Sequence, residues 1–391
     1  MIKTGLGIAP ASDLFIAGRE ASQEAAKILG EQPDLFLVAA PFAPNLEKVL
    51  AGIAMSFPGV PLAGGTPGWG IITDKGIKEK ETVVLALKFA KPDFQISYAE
   101  RLSEDARLAG VNLAQDLLNS HKTAPHFLLI FACGLGVAFD NFLDGLKNSL
   151  GSKTNILGGG TGDSMALKSG GWQFYNKQLL SDGAVAVGFW GETQSVIQSG
   201  HGWEPLGLEM NISKAQGIFV QEIDGKPAAE IFEKYFSRAD IRDPKFFTPQ
   251  GQGILYPLGI ISKNTGKIIV RQVVGVGPKA ELVFATNMPQ GAAIRIMQAQ
   301  TSKMIDIAQD IGKDLSVALS GSHQVAFVFD CVTRKCLLVP DQQKEINAFI
   351  KGLDKDIPIF GFFSYGEICS AKDEAKWFVH NETFTAGLLK E

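Results

Sequence analysis

The chain has 391 residues, of which 46% are hydrophobic and 20% charged, and its formal net charge is −4. The length is enough for two or three domains, and the composition is typical of a globular protein and excludes a disordered chain. The sequence has no cluster of Lys and Arg for nucleic acid and no apolar run of the roughly 20 residues that cross a membrane. It has no signal-peptide pattern, and its four cysteines form no CxxC pair. We therefore expect a cytoplasmic protein with reduced thiols.

The N-terminal part of the chain sets a pattern of strands, helices and glycines. An apolar run at 35–38 predicts a strand, and apolar side chains at helical spacing over 46–53 predict a helix. A second strand at 60–63 leads into the glycine-rich segment 64–68, and a closing strand follows at 82–89. We interpret this order as one α/β unit.

The same order occurs twice more, each time as strand, helix, strand, glycine-rich segment and closing strand. In the second copy these elements are 127–131, 142–150, 155–157, 158–163 and 184–190. In the third copy they are 325–329, 346–353, 357–360, 361–367 and 384–389. The helices expected to precede the three copies are 17–29, 103–119 and 292–311.

The repeat predicts the fold class, α/β (α+β layered), with repeated strand-helix-strand units. We expect mostly antiparallel sheets covered by helices, in two domains. The N-terminal domain, with two repeats, is predicted at 1–198, a junction segment at 199–252, and the C-terminal domain, with the third repeat, at 253–391. Near the junction, the sequence predicts a helix at 227–236 and a hairpin that joins 253–261 to 267–274.

Polar side chains accompany the glycine-rich segments, where backbone amides can approach a ligand because no Cβ intervenes. Hydroxyls occur at comparable places in the three copies, and a carboxylate lies just beyond two of them. These residues are Thr66, Thr161 and Ser364, then Asp163 and Glu367. The alternative interpretation is that the glycines, Gly159 and Gly160 among them, only permit tight packing.

The third copy has the most polar groups. Glu367 is followed by His380, Asn381 and Thr383, and a carboxylate with an amide and a hydroxyl suits the ends of a small polar ligand. We predict that a ligand contacts these residues together with Ser364 and Tyr365. The facing contacts are expected from Cys331, Arg334 and the segment that contains Gly159, Gly160, Thr161 and Asp163.

The histidines and cysteines leave several interpretations open. The sequence has neither HxH nor HExxH, so a zinc site is poorly supported. His201 and His380 are the better candidates for haem ligation, whereas His121, His126 and His323 are more typical of structural positions. Because Cys331 lies near an arginine, it is either a reactive thiolate or a small buried hydrophobic residue.

Five segments together resemble the FIST family, a sensory family with N-terminal and C-terminal parts. They are SGHGWEP at 199–205, VQEIDGKPA at 220–228, CVTR at 331–334, GFFSYGEI at 361–368 and HNxT at 380–383. The last two form the most specific match. One departure is Trp69-Gly70, where the family often has an acid, and this puts an equivalent role of the first glycine-rich segment in doubt.

The resemblance implies a module that senses a small ligand, such as an amino acid, and acts through a signalling protein. Some members are similar to haem proteins that sense nitric oxide and regulate a partner histidine kinase. We therefore expect a non-catalytic sensor of a small polar metabolite or of b-type haem with nitric oxide. An enzyme that uses Cys331, or Glu367 with His380, is a second hypothesis, and a scaffold that binds only protein is a third.

Overall fold

The computed structural model describes residues 1–249, 251–262, 266–319, 321, 324–353, 356–371 and 376–391. The protein contains 29% helix and 38% strand in several mostly antiparallel sheets, which confirms the predicted fold class. Within the described part of the chain, no helix is long and apolar enough to cross a membrane.

The first α/β unit follows the predicted order. Its elements are β1 (Lys3–Pro10), α1 (Leu14–Leu29), β2 (Leu35–Ala39), α2 (Glu47–Ser56), β3 (Leu62–Gly65), β4 (Ile71–Thr73), β5 (Gly76–Lys78) and β6 (Glu81–Lys88). Its sheet runs β1-β6-β2-β3, with β2 and β3 parallel and the other pairs antiparallel. Helix α1 lies close against β1, because a Cβ on Gly7 would lie 1.9 Å from the carbonyl oxygen of Ala21.

The second unit repeats this arrangement. Its elements are β7 (Phe94–Glu100), α3 (Leu102–His121), β8 (Phe127–Cys133), α4 (Phe139–Leu150), β9 (Asn155–Thr161), β10 (Gln173–Tyr175), β11 (Gln178–Leu180) and β12 (Gly183–Phe189). The order β7-β12-β8-β9 matches that of the first sheet, again with its parallel pair between β8 and β9.

The third unit begins with β13 (Gln194–Gly200), after which an inserted segment forms its own eight-stranded sheet. The insert contains β14 (Trp203–Gln216), β15 (Phe219–Ile223), β16 (Lys226–Pro227), α5 (Glu230–Glu233), α6 (Arg238–Arg242), β17 (Leu258–Ile261), β18 (Ile268–Arg271), β19 (Val273–Val276), β20 (Leu282–Phe284) and β21 (Ala293–Ala299). It has its own core, built around Phe232, Phe247 and Phe284. The predicted junction, 199–252, covers the first half of this insert.

The chain then completes the third unit. The elements are α7 (Thr301–Ala318), β22 (Gln324–Cys331), α8 (Val332–Leu338), α9 (Gln342–Leu353), β23 (Ile359–Ser364), β24 (Glu367–Ala371), β25 (Lys376–His380) and β26 (Phe384–Lys390). The sheet order is β13-β26-β22-β23, and the parallel pair is β22 with β23.

Each unit extends a neighbouring sheet with its hairpin. The β4-β5 hairpin pairs with β23 of the third unit, β10-β11 pairs with β3 of the first, and β24-β25 pairs with β9 of the second. The three sheets are thereby joined in a closed ring. Their inner faces share one core, in which the ring centroids of Phe131 and Phe362 lie 6.1 Å apart.

Four local predictions were wrong. Residues 293–299, predicted as helix, form β21, because Ile294 and Ile296 alternate with Arg295 and pack into the insert core. The predicted helix 227–236 is reduced to Glu230–Glu233, and the predicted strand 253–261 begins only at Leu258. The glycines of all three glycine-rich segments begin inside strands rather than turns. The predicted hairpin between β17 and β18 is present, and its tip, 263–265, lies outside the described residues.

Candidate functional site

The three glycine-rich segments meet where the units join. The hydroxyl of Thr66 donates to the carbonyl oxygen of Gly162 at 2.7 Å, and the amide of Gly160 donates to the carbonyl oxygen of Gly366 at 2.8 Å. A Cβ on Gly159 would lie 2.8 Å from the Cβ of Ser364. The glycines therefore allow backbones to approach one another, as the packing interpretation expects.

The three hydroxyls are buried in this junction and bond to protein groups. Thr161 Oγ1 accepts a hydrogen bond from Gln173 Nε2 at 2.7 Å, and Ser364 Oγ donates to Glu367 Oε1 at 2.8 Å. Gly159, Gly160 and Thr161 contribute to neither of the two cavities described below. Their contacts give them a role in joining the units.

Asp163 orders the loop after β9. Its carboxylate accepts hydrogen bonds from the Tyr365 hydroxyl at 2.7 Å and from the backbone amides of Leu167, Lys168 and Ser169. Burial alone would raise the pKa of Asp163, but these hydrogen bonds lower it below its ordinary value. Asp163 thus positions Tyr365, which lines a cavity, without lining that cavity itself.

A fully buried charged cluster lies beneath the third unit's polar residues. It contains one cation and four acids: Arg334, Asp330, Glu345, Glu367 and Glu382. Arg334 pairs with Glu345, and its Nε lies 3.0 Å from Asp330 Oδ1. Burial would lower the pKa of Arg334, but Glu345 and Asp330 together raise it. Burial raises the pKa of Asp330 well above its usual range, and Glu345 adds to this.

Glu367 has partners for both carboxyl oxygens. Oε1 accepts from Ser364, and Oε2 accepts from the Thr383 hydroxyl at 2.9 Å and from the Thr383 amide at 3.2 Å. Burial nevertheless raises the pKa of Glu367 to about 8. The structure therefore brings Ser364, Glu367 and Thr383 together as predicted, but as a buried network that leaves Glu367 off both cavity walls.

A cavity of about 450 Å³, the central cavity, lies where the insert meets the second and third units. Apolar side chains from all three parts line it, among them Leu135, Phe139, Phe247 and Val332. Of the predicted site residues, Cys331, Tyr365 and Asn381 belong to its wall.

The sequence interpretation missed Glu382, which also lines the central cavity. Its backbone has a φ of 63°, a left-handed conformation that is uncommon outside glycine. Neither of its carboxyl oxygens has a hydrogen-bond partner within the described part of the chain. The one hint in the sequence was the motif HNxT at 380–383, in which Glu382 is the residue written x.

A second cavity of about 600 Å³, the side cavity, brings His201 and His380 to one wall, with Thr383. Burial lowers the pKa of His201 to about 4 and that of His380 to about 3, so both imidazoles are neutral at pH 7. His201 Nδ1 accepts a hydrogen bond from the Trp203 amide at 3.0 Å. Its ring orientation is thus set by the backbone.

His121 and Cys331 have structural surroundings. His121 stacks on Trp190 with ring centroids 3.7 Å apart, and His323 lies outside the described residues. Burial raises the pKa of the Cys331 thiol well above its usual range, and the nearby Glu367 and Glu382 add to this. This environment suits a neutral thiol rather than a thiolate nucleophile. Among the described residues, no group of three or more His, Cys, Asp or Glu is arranged to hold a metal ion.

Comparison with protein families gives two matches that together cover most of the chain. The FIST N domain matches residues 34–226, and the FIST C domain matches residues 228–370. The chain belongs to the FIST family. FIST domains are sensory domains that bind small ligands and signal to other proteins. The resemblance seen in the sequence motifs is therefore confirmed.

Individual relatives add little beyond the family. The uncharacterized protein MJ1623 of Methanocaldococcus jannaschii is 25% identical over 382 residues, which cover 89% of this chain and 71% of that protein. The cyanuric acid hydrolase of A. caulinodans has a TM-score of 0.26 at 14% identity, over 48% of this chain and 69% of its own. PurL of T. maritima complexed with ADP has a TM-score of 0.24 at 10% identity, over 99% of this chain and 71% of its own. Scores this low carry no argument about fold or function.

Proposed function

We propose that this FIST protein senses a small metabolite that binds in the central cavity, and that it signals through a separate partner such as a histidine kinase. The observation that supports this proposal best is the cavity wall, which combines the insert with two units of the ring. Its volume of about 450 Å³ is typical of small-molecule sites, and so is its apolar lining with a few polar groups.

The position of the cavity suggests how binding is transmitted. The insert leaves the third unit after β13 and returns at α7, so two chain connections join it to the ring. Among the described residues, the hydrogen bonds that cross this boundary near the cavity include those from Arg271 Nη1 to the Val379 carbonyl at 2.8 Å, from Thr286 Oγ1 to Asn381 Oδ1 at 3.4 Å, and from the Asn287 amide to Asp140 Oδ2 at 2.9 Å. A ligand that contacts both sides would favour one arrangement of insert and ring over another, which is the energetic requirement for a signal.

A thermal-shift screen of amino acids, amines and other small metabolites tests the proposal. A ligand at 100 times its Kd stabilises the folded protein by about 2.7 kcal/mol. The variant Ala285→Trp adds a bulky side chain to the insert side of the wall, where Ala285 is exposed, and we expect it to obstruct the cavity and lose the shift. The matched control is Ala318→Trp, at an exposed position at the end of α7, and it should keep the shift. The proposal fails if no metabolite raises the Tm, or if both variants respond like the original protein.

The second candidate ligand is b-type haem with nitric oxide, which His201 and His380 favour by lining the same cavity. An imidazole that holds iron normally donates its other ring N–H to a protein acceptor. Nδ1 of His201 instead accepts the Trp203 amide, an arrangement that does not suit iron coordination. His380 is then the remaining axial candidate, and we favour the metabolite. An absorption spectrum of haem-supplemented protein separates the two ligands, since a Soret band lost in His380→Ala would support haem.

The enzyme and scaffold hypotheses make different predictions from the sensor. The neutral, buried thiol of Cys331 gives the enzyme hypothesis little support, because the thiolate is the nucleophilic form. A scaffold would bind its partner equally well with and without a metabolite. A sensor would bind or regulate that partner differently when the central cavity is filled, and the Ala285→Trp variant would abolish the difference.

A further inference from the structure

We propose that the ligand of the central cavity is a cationic amine with an apolar body, and that its ammonium group binds Glu382. This inference deepens the proposed function and depends on it. It assigns a role to a carboxyl group that the sequence interpretation missed. It also narrows the ligand from a polar metabolite in general to one that carries a positive charge.

Glu382 is a buried carboxyl group without a hydrogen-bond partner in the described chain. The residue belongs to the cavity wall and is 0% exposed, and neither carboxyl oxygen accepts a hydrogen bond from any described residue. A ligand therefore reaches the carboxyl group when the side chain turns from the wall into the cavity. A buried polar group without a partner lowers stability, and so does a left-handed backbone at a residue other than glycine. Such costs persist at functional sites, where a ligand supplies the missing contact.

The neighbouring charges do not satisfy Glu382. Glu382 interacts electrostatically with Glu367 on β24, with Cys331 at the end of β22, and with Arg334 on α8. The guanidinium of Arg334 is committed to Glu345 and Asp330. Arg334, the cation of the described cluster, therefore has Glu345 and Asp330 as its partners rather than Glu382.

The rest of the wall defines the other end of the ligand. Leu135, Phe139, Met165 and Phe247 offer apolar contact, and Asn381 offers a neutral amide. Among the described residues of this wall, Glu382 is the one carboxyl group, and there is no Lys or Arg. A ligand carboxylate would therefore find no cation, which favours an amine over a zwitterionic amino acid.

Binding should release a proton. Burial and the neighbouring Glu367 raise the pKa of Glu382 well above its usual range, so the free protein holds this group as a neutral acid. A bound ammonium group favours the carboxylate, because opposite charges attract strongly in a buried site. The protonated amine and the carboxylic acid become an ion pair, and the proton of Glu382 passes to solvent.

Isothermal titration calorimetry with matched probe pairs tests the inference. The pairs are butylamine with butanol, hexylamine with hexanol, and 2-phenylethylamine with 2-phenylethanol. Titrations in phosphate and in MOPS at pH 7 measure the protons released, because the two buffers differ in ionisation enthalpy and neither is a primary amine. We expect at least one amine to bind about tenfold or more tightly than its alcohol, with close to one proton released per amine.

Two variants locate the effect. Glu382→Gln should lose about tenfold or more in amine affinity and all proton release, while alcohol affinity stays the same. Glu367→Gln changes a buried carboxyl of the same cluster that lies off the cavity wall, and it should retain selectivity for the amine. Because neither oxygen of Glu382 accepts a hydrogen bond, Glu382→Gln should also keep the Tm of the original protein.

The outcomes distinguish this inference from the proposed function. Equal affinity for amines and alcohols, or unchanged amine binding in Glu382→Gln, would overturn the amine site and leave the sensor proposal standing. If no metabolite in the thermal-shift screen binds at all, both fail. If Glu382→Gln does not fold, the unmodified protein still tests the amine site. Its affinity for the amine must rise between pH 6 and pH 8, because the proton of Glu382 that binding releases is lost more easily at higher pH. An affinity that is independent of pH would overturn the site.

Discussion

The raised pKa of Glu367 predicts how the stability of the folded protein depends on pH. Burial raises this pKa from 4.5 to about 8 in the folded protein. Between these values the folded state holds a proton that the unfolded state has lost. Stability is therefore fully present below pH 4.5 and falls as the pH rises toward 8, by about 1.4 kcal/mol per pH unit. Across the whole window the loss from this one group amounts to about 5 kcal/mol.

The variant Glu367→Gln isolates this contribution, because its side chain is similar in size and does not titrate. We would measure the free energy of unfolding in urea at pH 5.5, 6.5 and 7.5 for both proteins. Titrating groups far from Glu367 contribute equally to the two curves, so their difference reports Glu367 together with the neighbours whose pKa it raises, Asp330, Cys331 and Glu382. The original protein should lose about 2.7 kcal/mol relative to the variant between pH 5.5 and 7.5. Parallel curves would refute the assignment of a protonated Glu367.

Two further predictions concern a glycine and a thiol. Gly361→Ala should destabilise the third unit by about 3 kcal/mol or more, because the new Cβ would lie 1.7 Å from the carbonyl oxygen of Val328. Urea unfolding checks this, with Gly275→Ala as the control, since a Cβ there meets nothing within 4 Å; equal losses would contradict the packing role. Iodoacetamide at pH 7.5 should modify Cys331 at least about tenfold more slowly in the folded protein than in urea, by mass spectrometry, because burial keeps the thiol neutral. Faster modification of the folded protein would instead support the enzyme.

The repeat could be predicted because it depends on local patterns. Apolar runs such as 127–131 predict strands, and apolar residues at helical spacing such as those in 142–150 predict helices, and both patterns are visible within a single copy of the unit. The hairpin exchange could not be predicted, because pairing between β24 and β9 depends on contacts about 200 residues apart, and the short strands have no distinctive pattern. The strand β21 was missed for a related reason: its two isoleucines were interpreted as part of the helix that follows it.

The site was only partly predictable, because burial decides the role of each polar group. The sequence indicated Ser364, Glu367 and Thr383, which do lie together, but their hydrogen bonds are to one another. Glu382 follows Asn381 directly, and nothing in its neighbours shows that its oxygens lack partners. Whether a glutamate lies in a solvated turn or in the wall of a cavity depends on the insert, which the chain completes about 80 residues earlier.

The closed ring and the insert have different freedom to move. Each ring sheet includes a hairpin from a neighbouring unit, so no unit can shift without breaking strand hydrogen bonds in a second sheet. The insert pairs its strands only with one another in the described chain, and it meets the ring through side-chain and single backbone contacts near the cavity. A ligand-driven change is therefore least costly at the boundary between insert and ring. Glu382 lies at this boundary, next to the insert-contacting Asn381, so a cation bound there would act where a rearrangement breaks no strand pairing of the described chain.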